Sequence, residues 1–255
     1  GDLKELSYIA SCRKSVLSIL YGPFVENGKI NLNSTLEQLN IDDINGLLPI
    51  EKKATIRNLL TARSGVYHEP SYSGDEYAFA PKRGSVQPGR FFLYNTWDSN
   101  LAGYLFEKLS GVGIYDAVDS MLAHPLNMED WDKNIQHKDA DTIKSMYPAY
   151  PMWFSTRDMA RIGYLMLRNG RWKDKQITTE NWVNTITTSF TSTKEMKEFK
   201  SPYYKDGAYM RYFGYGYLWW VWDAPENKGA YEGAYTAQGN FGQYITVLPA
   251  LDVVI

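Results

Sequence analysis

Near residue 205 the hydrophobic period of this chain changes, and that change limits the folds open to it. Before it, apolar residues recur at three- and four-residue spacing: Ile56, Leu59 and Leu60; Leu101, Leu105 and Leu109; Met159, Ile162, Leu165 and Met166. Each set lines one face of a helix. After it come short aromatic and β-branched runs broken by turns, at 209–222, 229–236 and 241–248, with another starting at Leu251. Helices first and strands last, with short turns between, predict an antiparallel sheet beside a large helical layer. The expected class is α+β, an α/β sandwich with helices flanking the sheet. The helical region is expected at about 24–200 and the sheet region at about 205–255, in a single domain over 1–255. No internal repeat is visible.

Boundary signals place the helices. Ser34-Thr35-Leu36-Glu37, Asn95-x-x-Asp98 and Ser155-Thr156-Arg157-Asp158 read as capping boxes. Ser64-Gly65, Gly111 and Asn169-Gly170 read as helix ends. Helices are expected over Thr55–Arg63, from about Trp97 to Leu109, and over Thr179–Thr187. Residues 66–90 are rich in Gly, Pro, Ser and Tyr and are expected to form a long loop. A loop of that length in a compact domain usually covers a cleft or carries function. In the aromatic run, strand alternation sends Trp219 to one face and Trp220 and Trp222 to the other.

Composition removes several function classes. The net charge is −2, which gives no support for a nucleic-acid or membrane-surface partner. No run of about 18 apolar residues exists, so no transmembrane helix is expected. Cys12 is the one cysteine, so no internal disulfide can form. The histidines are His68, His124 and His137, in no metal-ligand spacing, so neither metal nor cofactor is expected. No signal peptide is visible. The chain begins without Met and ends on Val253-Val254-Ile255, so both natural ends are expected to lie outside it. Twenty Tyr and eight Trp suit a thick core or an aromatic cleft equally well.

Chemistry concentrates in residues 8–22, Tyr-Ile-Ala-Ser-Cys-Arg-Lys-Ser-Val-Leu-Ser-Ile-Leu-Tyr-Gly. On a helix, Ser11 and Lys14 share one face a turn apart. A neutral amine there can take the hydroxyl proton as the oxygen attacks a carbonyl. The helix N-terminus favours the negative charge that develops. Cys12 points about 100° away and is expected to pack inward. Val16, Leu17, Ile19 and Leu20 continue the helix, and Gly22-Pro23 is expected to stop it. Taken alone, the motif fits a surface Ser and Lys at a helix start better than a catalytic pair, because about one such spacing arises by chance in a chain this long. Tyr94 sits just before the next long helix, where a loop can aim its hydroxyl into a cleft. Asn95 fits either a cap or a catalytic amide, and His68 either a loop hydrogen bond or a substrate contact.

Further segments carry a resemblance. Leu59-Leu60-Thr61-Ala62-Arg63-Ser64-Gly65, Phe92-Leu93-Tyr94-Asn95-Thr96-Trp97-Asp98, Ser155-Thr156-Arg157-Asp158-Met159-Ala160, Phe213-Gly214-Tyr215-Gly216-Tyr217 and Gly239-Asn240-Phe241-Gly242-Gln243 occur in order over nearly the whole chain. With Ser11-x-x-Lys14 they resemble the β-lactamase-related serine hydrolases. These belong to the serine β-lactamase and penicillin-binding-protein-like superfamily, in its class C-like branch with esterases and aminohexanoate-oligomer hydrolases. The resemblance implies a β-lactamase/transpeptidase-like fold with Ser11 as acylated nucleophile and Lys14 and Tyr94 as its activating partners. Which of those two is the base is disputed across the superfamily. For Lys14 to be a free amine near neutral pH, its pKa must fall by about 3 units from roughly 10.4, and burial acts in that direction. The resemblance further implies an oxyanion hole from the Ser11 N–H and one near Gly239 or Asn240, with Asn95, Thr96 and Gln238 as further substrate contacts. It leans towards an exported location and leaves the oligomeric state open.

Two departures bear on substrate. The family Tyr-x-Asn reads Tyr94-Asn95-Thr96, so the amide is lost. The Lys-Thr-Gly or His-x-Gly motif has Ala237-Gln238-Gly239 as its nearest match, without a cation. In β-lactamases and transpeptidases that cation side serves the substrate carboxylate. The expected partner is therefore a small neutral ester or amide. A β-lactam or D,D-peptide substrate is one alternative, and a silent ligand-binding homologue another. No Gly-x-Ser-x-Gly elbow points to an α/β-hydrolase.

Overall fold

The computed structural model describes residues 2–72, 79–199 and 212–255. Their elements, in chain order, are β1 (Ser7–Tyr8), α1 (Cys12–Glu26), α2 (Ile56–Leu60), α3 (Thr96–Ser110), α4 (Ile114–Val118), β2 (Trp153–Phe154), α5 (Thr156–Leu167), β3 (Arg171–Trp172), β4 (Lys175–Gln176), α6 (Glu180–Thr187), α7 (Thr193–Glu198), β5 (Gly214–Tyr215), β6 (Trp220–Val221), β7 (Tyr235–Gly239), β8 (Gln243–Leu248) and β9 (Val253–Val254). Strands β5 to β9 form one antiparallel sheet in sequence order. Two small ribbons, β1–β2 and β3–β4, stand apart from it. Helix α5 lies on β8 and β9, while α1 lies between the sheet and helices α3 and α6. The expected order of helices first and sheet last is the one observed.

Helix α1 is the spine. Residues 12 to 22 are all buried, so it is enclosed on every side. Its polar groups bond outward to neighbouring elements. Ser15 Oγ donates to the Leu218 carbonyl (2.6 Å), Trp182 Nε1 to the Ser18 carbonyl (2.8 Å), and Trp219 Nε1 to Ser18 Oγ (3.0 Å). Buried polar groups need such partners, and here the partners anchor α1 to α6 and to the β5–β6 hairpin.

The structure corrects several boundaries. The helix does not stop at Gly22-Pro23 but runs to Glu26 with Pro23 inside. Gly22 serves a close approach: a Cβ there would lie 2.5 Å from the Trp182 ring. The Ser34–Glu37 pattern opens no helix; Thr35 and Gln38 instead bond each other's backbone N–H in a turn. Asn95 and Ser155 do cap α3 and α5, but the partner carboxylates do not reach back. Asp98 bonds Ser64, and Asp158 accepts from the Glu129 and Asp130 amides and from Arg161. A complete capping box occurs at Thr55–Asn58. The strand expected over 209–222 is a hairpin, β5–β6, turned at Leu218 with φ 63°, and its residues 209–211 lie outside the described residues. Residues 229–231 form a 3-10 turn, and the strand starts only at Tyr235. Of the long loop at 66–90, residues 73–78 lie outside the described residues. No described helix is long and apolar enough to cross a membrane.

Two apolar clusters result among the described residues. The main one surrounds α1 and includes Trp219. The second gathers Phe92, Phe213, Tyr215 and Trp220, with Tyr94 against it. The two faces expected for Trp219 and Trp220 thus serve different clusters.

Candidate active site

Ser11 occupies the N-cap position of α1 and is half-buried. It follows Ala10, whose φ of 48° puts a non-glycine residue in the left-handed region. Such backbone costs of order 1–3 kcal/mol and clusters at functional sites. The Lys14 amide donates to the Ser11 carbonyl at 3.0 Å, closing the first turn. That turn puts the Lys14 side chain inside the protein, 2% exposed. Its Nζ lies 3.8 Å from the centroid of the Tyr94 ring.

Tyr94 is held from both sides. The Leu93 amide donates to the Ala62 carbonyl (3.0 Å), tying the segment to the end of α2. The Tyr94 ring packs on Trp220 (5.3 Å) and edge-on to Tyr215 (6.0 Å). The next residue, Asn95, is engaged at both ends of its amide: Oδ1 accepts from the Asp98 amide (2.7 Å) and Nδ2 donates to the Leu93 carbonyl (2.9 Å). Of the two readings for Asn95, the cap is the one its contacts fill. Thr96 is buried as the first residue of α3.

The third wall is the end of β7. A Cβ on Gly239 would lie 2.5 Å from the Ile9 carbonyl oxygen and 3.2 Å from the Ala10 Cβ, so the strand touches the segment that presents Ser11. Asn240 follows, exposed, in a tight turn with Phe241 at φ 66° and Gly242 at φ 80°. Gln238 is half-buried, and its Nε2 is buried with no hydrogen-bond partner among the described residues. Ser11 and Lys14, Tyr94, and Gly239 therefore come together from three separate segments, and Gln238 and Asn240 flank the last.

Cys12 is fully buried, and burial pushes its thiol pKa up, which leaves it inert at neutral pH. His68 bonds the Ile44 and Glu69 carbonyls and lies 3.5 Å from Asp43, as the loop reading expects. His137 stacks on Trp153, and His124 is exposed. Among the described residues, no group of three or more His, Cys, Asp or Glu side chains is placed to hold a metal ion.

Sequence reading passed over Asp98 except as a cap partner. Its carboxyl is 1% exposed, accepts the Ser64 hydroxyl at 2.6 Å, and feels the charge of Lys14. Burial pushes its pKa up to about 7, against the opposing effects of Ser64, Asn95 and Lys14. Tyr67 lies near it, and burial followed by the Asp98 charge pushes the Tyr67 pKa up. Arg13 was passed over too. It is 3% exposed, with its guanidinium 3.2 Å from Asn100 Oδ1 and stacked 4.2 Å from the Tyr150 ring centroid. The signal for Asp98 was present, because Asp98 and Ser64 both sit in segments that carry the resemblance.

Comparison with known proteins supplies the lineage. A family model described as Beta-lactamase matches residues 2–255. A curated protein of Alkalihalophilus pseudofirmus, itself uncharacterised, is 24% identical over 250 residues, covering 92% of this chain and 66% of that protein. Among solved structures, a Bacillus anthracis protein assigned as a 6-aminohexanoate-dimer hydrolase is similar with TM-score 0.69 and 20% identity, over 99% of this chain and 66% of that one. An octameric penicillin-binding protein homologue from Pyrococcus abyssi follows with TM-score 0.67 and 21% identity, over 98% and 60%. The chain thus spans just under two thirds of the length of these relatives, and the expected β-lactamase/transpeptidase-like fold is the fold it has. With the family model covering all but the first residue, the chain belongs to the Beta-lactamase family.

Proposed function

We propose that this protein is a serine hydrolase acting through an acyl-enzyme on a small neutral ester or amide. The observation that carries the reading is the buried Lys14 one turn from Ser11, with its Nζ against the Tyr94 ring. Ser11 Oγ attacks the substrate carbonyl, and its proton passes to Lys14 or Tyr94. The Ser11 amide and the amide following Gly239 receive the oxyanion at the N-terminus of α1. The leaving group takes the proton, and water then attacks the acyl-enzyme by the same route in reverse. The absence of a cation in Ala237-Gln238-Gly239 favours neutral substrates, and Gln238 Nε2, without a hydrogen-bond partner among the described residues, is a donor suited to a neutral oxygen. The amide arm gains support from the Bacillus anthracis relative, the β-lactam arm from the family description.

The test is a fluorophosphonate probe with the adduct located by mass spectrometry. Labelling at Ser11 is expected, none in Ser11→Ala, and labelling slowed about 100-fold or more in Lys14→Ala and Tyr94→Phe. A folded sample that stays unlabelled overturns the proposal and leaves the silent ligand-binding reading. Parallel assays with a nitrophenyl ester, a linear amide and a chromogenic β-lactam rank the substrate classes, and fastest turnover of the β-lactam would reverse the preference for neutral substrates.

A further inference from the structure

Two consecutive tryptophans hold the two sides of the site. Trp219 and Trp220 serve different apolar clusters from one hairpin, β5–β6. The Trp219 side grips α1. Trp219 Nε1 donates to Ser18 Oγ (3.0 Å), and the preceding Leu218 carbonyl accepts from Ser15 Oγ (2.6 Å). Ser15 is next to Lys14 in the chain, and Ser18 is one turn further on. The Trp220 side meets Tyr94 instead, with ring centroids 5.3 Å apart and planes 32° from parallel. Tyr215, opposite Trp220 in the hairpin, touches both rings edge-on, at 4.8 Å from Trp220 and 6.0 Å from Tyr94. A tyrosine ring has only two side-chain torsions, so this packing and the Leu93–Ala62 backbone bond fix where its face points.

That face carries Lys14, with Nζ 3.8 Å from the ring centroid. An aromatic face holds the negative part of the ring quadrupole and attracts a cation, most strongly where water is excluded. Lys14 is buried, so water is largely excluded here. Burial disfavours the ammonium form of Lys14, and the ring face favours it. A proton acceptor in the reaction needs both influences: a free amine before the step and a stabilised ammonium after it. We propose that Trp220 is a positioning residue, holding the Tyr94 ring face against Lys14 so that a cation–π contact stabilises the ammonium formed when Lys14 takes the Ser11 proton. In that step the Ser11 O–H bond breaks as Oγ bonds to the carbonyl carbon. The carbonyl π pair moves onto its oxygen, and the Lys14 amine pair takes the proton. The ring gains and loses no atom. The role is separate from that of the Tyr94 hydroxyl, and it rests on the hydrolase reading with Lys14 as the base.

The test keeps the shape of the ring and weakens its face. Tyr94→Phe is the baseline, followed by phenylalanines at position 94 with one, two and three ring fluorines, each of which drains the face further. The Lys14 Nζ nitrogen shift is followed by NMR against pH and assigned by its loss in Lys14→Arg. Weakening the contact disfavours the ammonium, so the midpoint is expected to fall stepwise, by about one unit over the series. The acid limb of Ser11 labelling is expected to move to lower pH with it. Asp98, the carboxyl that feels the Lys14 charge, is unchanged across the series, so a graded trend reports the ring. A midpoint that stays put, or that moves only between wild type and Tyr94→Phe, overturns the cation–π role. For Trp220, Trp220→Leu is expected to lower the midpoint and slow labelling about 10-fold, and Trp220→Phe to return both towards wild type. Simple entry of water to Lys14 would move the midpoint the other way. If Trp220→Leu fails to fold, Trp220→Met, which keeps bulk without a ring, is read in its place. An unchanged midpoint and rate in the folded variant overturn the positioning role. A wild type that never labels overturns the hydrolase reading instead, and the NMR series still decides the ring contact.

Discussion

A single methyl group decides how closely β7 meets the segment that carries Ser11. At Gly239 it would sit 2.5 Å from the Ile9 carbonyl oxygen, a backbone atom that cannot swing aside. Gly239→Ala is therefore expected to push the strand away from Ala10 and Ser11. Displacements near 1 Å in such sites cost about 100-fold in rate. Fluorophosphonate labelling should fall by that order while circular dichroism stays native; undiminished labelling would show that β7 does not help to shape the site. Residues of this kind divide what a sequence reveals from what it hides. Ser11 and Lys14 are three positions apart, so elementary helix geometry reads their proximity directly. Gly239 answers to Ile9, some 230 positions away, and no local pattern encodes that contact. Asp98 lies between these cases: its cap position was legible, but the direction of its carboxyl depends on Ser64, in another segment.

Helix starts show the same division one level up. The Asn95 side chain takes the Asp98 amide at 2.7 Å and so closes one open donor at the head of α3. Asn95→Ala is expected to cost about 1 kcal/mol of stability, read as a lower urea midpoint with an unchanged slope. An unchanged midpoint would mean water replaces the cap at no cost. Starts of this sort were legible at α3 and α5, because a short polar side chain before an apolar stripe has few other local uses. The reciprocal half of each box was not, since Asp98 and Asp158 face better partners in the folded protein. The expected stop at Gly22-Pro23 fails for a related reason. Proline disfavours a helix interior locally, but α1 is buried along its length and held by α6, so tertiary packing overrides the signal.

At the scale of the molecule, the helical region is tied together by buried carboxylates. Asp43 is 5% exposed and accepts from Trp97 Nε1 (2.7 Å), Ser145 Oγ (2.6 Å) and the amides of Ile44 and Met146 (both 2.8 Å). It joins segments 54 and 102 residues away. Asp43→Ala would orphan several buried donors at once, with an expected loss of about 3 kcal/mol or more, measured by urea unfolding. A loss below about 1 kcal/mol would show that water or a neighbour takes over the role. The broad order of helices and sheet was legible because periodicity is local; ties such as Asp43 were not, because they join distant parts of the chain.

The anchoring of α1 also sets a timetable. Its partners on the sheet side, Leu218, Trp219 and the Gln243 carbonyl, lie 201 to 231 positions further along the chain than the α1 residues they bond. A ribosome releases α1 early and these strands much later. During most of elongation, a helix with eleven successive buried residues lacks the surface it is built to meet. The Ser11 hydroxyl emerges long before β7, the strand whose end packs against Ile9 and Ala10, so a growing chain carries Ser11 without that wall. On the proposed hydrolase reading, synthesis order would withhold the capacity to react until the last strands are made.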